Sequence, residues 1–292
     1  MHQMSRRGLL GLAAGAGVWA LAGCRQPTGG GATGLADAAR ALRAASYRFV
    51  LGNGDGGYFR EMASGTYDPG RGVSVRVAAF RDESDSVWVR ALAVGGQLYM
   101  RVDGQRYDHW RVRPAVWYSV APQLLNPGPP GDLLRALTAV PGDPSSAGAI
   151  LEHVTDPGTG TPLPVTSPGD SDFPTPVATA GTRVVAGPLD AGVLARSPVL
   201  TFLNFSTTPR GSGPTPIGPV SQPPAAFECA AELTGDGRLA RLFVWENGEI
   251  YWTSIVITGY GDVAADLSAP DPATVRQAVE DDVVELMYGL TV

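Results

Sequence analysis

The sequence contains no lysine, and all 22 of its basic residues are arginine. Without lysine the chain can hold no P-loop lysine, no Schiff-base lysine and no kinase-type lysine–glutamate pair. The formal net charge is −6 and the arginines are scattered along the 292 residues, which argues against a surface that follows nucleic-acid phosphates. The alanine-, glycine- and proline-rich composition is typical of a high-GC actinobacterial genome.

Cysteine is almost as scarce, because Cys24 and Cys229 are the only two. Cys229 lies in the stretch AAFECAAEL, whose alternation predicts an interior strand position. We therefore expect a buried small hydrophobic side chain there, and not a reactive thiol. If Cys24 is acylated, as its surroundings suggest, Cys229 has no partner and the chain forms no disulfide.

Residues 1–23 predict an export signal. Arg6 and Arg7 supply a positive segment before an uncharged apolar run over residues 8–22. That run fits the apolar region of a signal peptide and is short for a membrane span, which needs about 20 residues. The stretch SRRGLL also resembles a twin-arginine export signal, although an ordinary secretory signal would look much the same. The export route stays open.

Leu21, Ala22, Gly23 and Cys24 resemble the lipobox of bacterial lipoproteins. The resemblance implies cleavage before Cys24 and a diacylglyceryl group, with palmitate-like chains, on its thiol. Residues 24–34 are rich in glycine and proline and predict a flexible tether spanning on the order of 17 Å. The expected location is the extracytoplasmic face of the cell membrane, where two or more acyl chains anchor a protein stably.

The remaining residues, 35–292, predict a single α+β domain with a long antiparallel sheet. A short amphipathic helix begins near Leu35, and strand signals follow that are separated by Asp-Gly, Gly-Gly and Asn-Gly turns. Further helices are predicted over 132–140 and 271–290. Two stretches rich in proline and glycine, 156–181 and 206–224, predict long loops.

This order of elements resembles the actinobacterial LppX/LprG-type lipoproteins, which share a half-barrel fold with the LolA/LolB carriers and the sensor RseB. The resemblance is carried by SYRFVL…GTYDPG, VWVRALAVGGQLYMRV, DLLRALTAV and AFECAAELTGDGRLARLFVW. It implies a curved antiparallel sheet whose concave face is covered by helices and encloses an apolar cavity. A lipid or an acylated molecule would lie in that cavity.

Two strands are apolar on both faces, so each face must be covered or must line something. On this basis we predict that the cavity is lined by Trp88, Leu92, Val94, Trp110, Trp245 and Trp252. The alternative is that the tryptophans fill an ordinary packed core.

No catalytic or metal-binding constellation is predicted. The G-x-G-x-x-G match at Gly52, Gly54 and Gly57 precedes a strand-like stretch and not the helix that a dinucleotide site needs. His109 and His153 show no ligand spacing, and no G-x-S-x-G motif occurs. We expect no cofactor and no enzymatic activity.

Two functions remain open from the sequence. The first is a non-enzymatic carrier that shields a lipid or acylated molecule. The second is an envelope sensor or interaction protein of the same fold, whose loops dock on a protein partner. An envelope hydrolase has the weakest support, because no nucleophile–base set is visible.

Overall fold

The structure is a computed structural model that describes residues 31–55, 58–82, 85–104, 111–125, 131–132, 134–135, 143–159, 181–190, 227–246, 251–261, 263 and 267–291. The signal residues 1–23, including Arg6 and Arg7, the lipobox, Trp110, His109 and the predicted loop 206–224 lie outside these ranges.

The described residues form one curved, unclosed sheet of twelve strands. The strands are β1 Tyr47–Asp55, β2 Tyr58–Asp68, β3 Gly72–Asp82, β4 Asp85–Val94, β5 Gln97–Asp103, β6 Tyr118–Val120, β7 Gly158–Thr159, β8 Arg183–Leu189, β9 Phe227–Leu233, β10 Leu239–Glu246, β11 Tyr251–Thr258 and β12 Arg276–Gln277. Their order is β12-β6-β5-β4-β3-β2-β1-β11-β10-β9-β8-β7. All pairs are antiparallel except β12 with β6. The predicted α+β half-barrel is confirmed.

The sheet is accompanied by the α-helices α1 Gly31–Ala44, α2 Ala147–Glu152 and α3 Glu280–Thr291. Short 3-10 helices lie at Pro122–Leu124 and Pro272–Thr274. Helix α1 begins at Gly31, so it includes the last four residues of the predicted tether. Its start packs against the sheet, because a Cβ added at Gly34 would collide with the guanidinium of Arg183 on β8.

The prediction of a helix over 271–290 is wrong at its beginning. Asp271 caps the 3-10 helix by accepting a hydrogen bond from the Ala273 N–H. Residues 276–277 then form β12, and α3 starts only at Glu280. Helical spacing of apolar residues could not reveal this, since the pairing of β12 with β6 is a long-range contact. Val279, which lies between β12 and α3, is exposed.

The predicted loop 156–181 also contains structure at its start, since β7 occupies Gly158–Thr159 and pairs with β8. Two residues are too few to give an alternating pattern, so this strand has no signal in the sequence. The part of the predicted helix over 132–140 that the structure describes is helical at residues 132, 134 and 135.

The main hydrophobic core lies between the helices and one face of the sheet, which we call the concave face. Helix α1 contributes Leu35, Ala38, Ala39 and Leu42, and helix α3 contributes Val283, Leu286 and Met287. The strands add alternate residues, among them Val73, Val75 and Val77 of β3 and Val89, Ala91 and Ala93 of β4. Period-two burial is what a sheet with one face in the core requires.

The opposite, convex face carries a second and smaller cluster. Leu92 and Val94 of β4 pack there with Leu267, and Tyr99 and Trp117 lie against them. Leu267 belongs to the segment that joins β11, in the middle of the sheet, to β12 at its edge. The chain thus covers part of the convex face on its way to α3.

A buried polar cluster joins α2 to the sheet. Tyr47 is fully buried on β1 among the rings of Phe49, Tyr67 and Tyr260. Its hydroxyl donates a hydrogen bond of 2.7 Å to the carboxylate of Asp143.

The same carboxylate holds the first turn of α2. It accepts hydrogen bonds from the Ser145 N–H and hydroxyl and from the Gly148 N–H. The pKa of Tyr47 is raised well above its usual value, mainly because the phenol is buried and secondly because the Asp143 charge is nearby. The phenol therefore stays a neutral donor.

We predict that Asp143→Ala lowers the free energy of unfolding by about 1–3 kcal/mol, because it leaves the buried Tyr47 hydroxyl without its acceptor. Tyr47→Phe in the Asp143→Ala background should restore part of the loss. Urea denaturation followed by circular dichroism measures both effects. The matched control is Asp37→Ala, which removes an exposed carboxylate that pairs with Arg40 and should change stability by less than about 1 kcal/mol. An Asp143→Ala chain as stable as the Asp37→Ala chain would contradict this assignment.

Candidate functional site

The candidate site is the concave face of the sheet, because it is the larger of the two apolar surfaces. From β5 to β9 it carries side chains that are almost all hydrophobic and nearly fully buried, among them Phe49, Leu51, Leu98, Met100, Leu242 and Ile255. Twelve strands spaced by about 4.8 Å make a sheet roughly 50 Å wide.

Methionine is concentrated at this site. Beyond the predicted signal the chain has three methionines, Met62, Met100 and Met287, and all three belong to the main core. Met62 lies on β2 at a register shift, where the pairing jumps from Leu51–Ala63 to Gly52–Glu61. Methionine is flexible and polarisable, so a surface rich in it can adapt to an irregular apolar partner.

Helix α3 covers the concave face over β3, β4 and β5, and carboxylates fasten its outer side. Glu285 accepts hydrogen bonds from the backbone N–H groups of Arg111 and Val112, at 2.7 and 2.8 Å. Asp281 forms an ion pair with the Arg111 side chain. The acidic residues of this helix thus join it to the segment after β5, a role that their spacing alone does not reveal.

Helices α1 and α2 are joined by an ion pair between Arg43 and Glu152. Both guanidinium nitrogens donate to the carboxylate oxygens at 2.5 Å. The hydrogen bonds that Arg43 donates to Glu152 lower the pKa of Glu152 and raise the pKa of Arg43. Both side chains are about 40% exposed, so solvent screens the pair and it fixes geometry more than it adds stability.

The structure separates the six residues predicted to line a cavity. Leu92 and Val94 are buried on the convex face, away from the helices. Trp88 is half-buried on the same face of β4, and Trp245 is half-buried on β10. The backbone of Trp252 pairs with that of Trp245, and Trp110 lies outside the described residues.

This separation has a simple physical cause. In a strand that is apolar on both faces, the sequence does not say which face the helices cover. The residues that do lie beneath α3 are their neighbours of opposite parity, Val89, Ala91 and Ala93. Sequence reasoning missed these because they are small and lack the size of a tryptophan.

The convex face also holds an ion pair that the sequence did not suggest. Arg241 on β10 donates two hydrogen bonds to Glu232, its cross-strand partner on β9, at 3.0 and 2.7 Å. Both side chains are 10% exposed or less. Thr182 donates a further hydrogen bond to Glu232, and the Arg241 guanidinium lies 5.1 Å from the Phe243 ring centroid. Such full pairing is what makes buried charges tolerable.

His153, one of the two histidines considered for a metal site, makes a contact within its own helix. The Nδ1 atom of His153 lies 2.8 Å from the Ala149 carbonyl oxygen, within helix α2 and its C-cap. Among the described residues, no three metal-binding side chains lie together. Within the same ranges, no helix is both long and apolar enough to cross a membrane.

No protein-family model matches the sequence, and no curated protein matches it either. Among solved structures, the chain is similar to the lipoprotein LppX of Mycobacterium tuberculosis, with 9% identity and a TM-score of 0.34 over 81% of this chain and 97% of that one. It is also similar to a DUF1329 family protein of Desulfovibrio piger, with 11% identity and a TM-score of 0.20 over 82% and 96% of the two chains. At these values the likeness concerns the fold alone.

The burial predicted for Cys229 is confirmed, since it lies on β9 with no exposed surface and its thiol is free. Burial raises the pKa of this thiol to about 12. We predict that native protein does not react with a thiol reagent at pH 8, because the thiolate is the nucleophile and is scarcely populated. Unfolding in guanidinium should expose the thiol, whose pKa is then about 8.5.

The measurement is the rate of alkylation by iodoacetamide, followed by mass, with and without denaturant. The folded state disfavours the thiolate of Cys229. The contribution of this group to the free energy of unfolding is therefore complete at pH values below the unfolded pKa, and it decreases as the pH rises above that pKa. Fast alkylation of the native chain would contradict the assigned position on β9.

Proposed function

We propose that this chain is a cell-envelope lipoprotein, anchored through Cys24, that binds a lipid or another acylated molecule against the concave face of its sheet without catalysing a reaction. The observation that carries the proposal is the continuous apolar concave face, which includes all three methionines that follow the lipobox. The lipobox resemblance supplies the anchor.

Burial of the ligand's acyl chains supplies the binding free energy in this proposal. Transfer of each methylene group from water to an apolar surface stabilises the bound state by about 0.8 kcal/mol. An acyl chain therefore binds tightly and leaves only when an acceptor, such as a membrane or a second carrier, takes it up.

The described side chains of the concave face are already packed, as the 0–1% exposure of Tyr47, Leu98 and Met100 indicates. A ligand must therefore displace a covering element. Helix α3 is suited to this because its outer side is fastened to Arg111 by solvent-exposed polar contacts from Glu285 and Asp281, which water can replace. We propose that the acyl chains enter between α3 and strands β3–β5.

The anchor is tested first. We predict that Cys24→Ser abolishes acylation, because the serine hydroxyl does not replace the thiol in lipoprotein processing. The measurement is the mass of the N-terminal peptide and the share of the chain in the membrane fraction. A membrane-bound, acyl-modified Cys24→Ser chain would exclude the anchor. The matched control is Cys229→Ser, which leaves the lipobox intact and should stay acylated.

The ligand is tested separately with a soluble chain that begins at Arg25, since all described elements start at Gly31 or later. We predict that this chain, purified from its own or a related host without detergent, carries a lipid in stoichiometric amount. Organic extraction and mass spectrometry measure and identify it. A cooperatively folded chain with no lipid would exclude the carrier and favour the second reading, a sensor or interaction protein.

A variant locates the binding site. Ala91 lies on the concave face of β4 in the main core, so Ala91→Trp should put a bulky side chain where an acyl chain would lie once α3 is displaced, and should reduce the bound lipid severalfold. The matched control is Ser74→Trp, a half-buried position on the convex face of the neighbouring strand. Equal losses in both variants would argue against the concave face as the site.

A further inference from the structure

Three arginines stand side by side on the convex face of the sheet. Arg76 on β3 is directly opposite Arg90 on β4, and Arg90 is directly opposite Arg101 on β5. Like charges in directly opposed positions destabilise a sheet. Since neighbouring strands are about 4.8 Å apart, the row extends over roughly 10 Å.

Among the described residues, the row has fewer negative charges than positive ones. Asp103 is the carboxylate that these residues place beside it, with Arg101 Nε at 2.8 Å and Arg90 Nε at 3.6 Å. The longer distance is beyond hydrogen-bond range, and within the described part of the chain the buried Nε atom of Arg90 has no hydrogen-bond partner. In these ranges one carboxylate therefore accompanies three guanidinium groups.

The arginines at the two ends of the row each stack on a tryptophan ring. The Arg76 guanidinium carbon lies 3.6 Å from the ring centroid of Trp88, and that of Arg101 lies 4.9 Å from the ring centroid of Trp117. Stacking of this kind orients a guanidinium while leaving its donors available. Arg76 is exposed and the Arg90 side chain is 40% exposed, so solutes can reach the row.

We propose that this arginine row, with Trp88 and Trp117 beside it, is a docking surface for the anionic headgroups of the membrane that carries the chain. The inference rests on the proposed anchor at Cys24, which holds the domain close to that membrane. Guanidinium groups recognise phosphate through paired N–H donors. Tryptophan is favoured at the level of lipid headgroups because its ring is apolar and its N–H is polar.

A membrane fits the row better than a single dissolved phosphate does. The donors are spread across three strands of an open sheet face and do not converge on one point. Several headgroups on a surface can meet them at once, whereas one phosphate cannot. Docking in this way would leave the opposite, concave face and helix α3 turned away from the lipid.

The test uses the full chain, acylated and reconstituted into vesicles, with a fluorescent NBD label on an introduced cysteine. Gln97→Cys puts the label at an exposed position on the convex face, at the beginning of β5. Val284→Cys puts it on the exposed side of α3. The acylated Cys24 and the buried Cys229 do not take up the label.

We expect the label at position 97 to become brighter and blue-shifted on vesicles that contain phosphatidylglycerol, and less so on phosphatidylcholine alone. The label at position 284 should not respond. Added salt should weaken the response, because it screens the charges. Equal emission on both kinds of vesicle would overturn the proposal, and so would an equal response at position 284.

Variants test the row itself. Arg76→Gln, Arg90→Gln and Arg101→Gln together should abolish the response, with an expected loss of about fivefold in the docking equilibrium for each arginine. The matched control replaces three exposed arginines outside the row, Arg40, Arg113 and Arg276, with glutamine and changes the net charge equally. Equal losses in the two triple variants would overturn the proposal.

Two further outcomes are distinguished. If the triple variant does not fold, Arg90→Gln alone is used, because it keeps both arginine–tryptophan pairs.

A response of the label to inorganic phosphate without vesicles would mean a soluble-anion site and would overturn membrane docking. Failure of the anchor appears separately, since the chain would then lack the acyl mass and would not stay with the vesicles at all.

Discussion

The wide, open sheet has one face that is almost wholly apolar and a second face with a smaller apolar cluster, and this sets the main packing requirement of the molecule. Apolar sheet surface of this extent is not left to water, so each apolar region has to be covered. The chain meets the requirement with helices on the concave face and with the segment around Leu267 on part of the convex face. The crossing from β11 to β12 serves both faces, because the chain passes Leu92 and Val94 before it delivers α3 to the opposite side.

The two faces consequently have different chemistry. The concave face is hydrophobic and contains the adaptable methionines, and its covering helices are fastened by charged pairs at their outer sides. The convex face combines a smaller apolar cluster with charged residues, some fully paired, as Glu232 and Arg241 are, and some in excess, as in the arginine row. The proposed acylated ligand uses the apolar concave face, and the proposed headgroup contact uses the arginine row on the convex face.

Much of the sheet could be predicted from local patterns. The turn signals indicated a long antiparallel sheet, and the alternation around Cys229 identified a buried strand. Elements defined by distant partners could not be predicted. Strands β6, β7 and β12 have two or three residues each, which is too few for an alternating pattern to appear. They are defined by their pairing with strands that are distant in the sequence.

Composition, motifs and alternation along the chain were enough for the composition-based exclusions, the lipobox resemblance, the α+β class and the need to cover two strands on both faces. Which face the helices cover depended on tertiary packing, which puts Leu92 and Val94 on the side opposite the helices and Ala91 beneath them. The reason is that alternation along a strand assigns residues to two sides but does not say which side packs against the helices. The arginine row is likewise a property of strand register, because Arg76, Arg90 and Arg101 are isolated in the sequence and become neighbours only when β3, β4 and β5 pair.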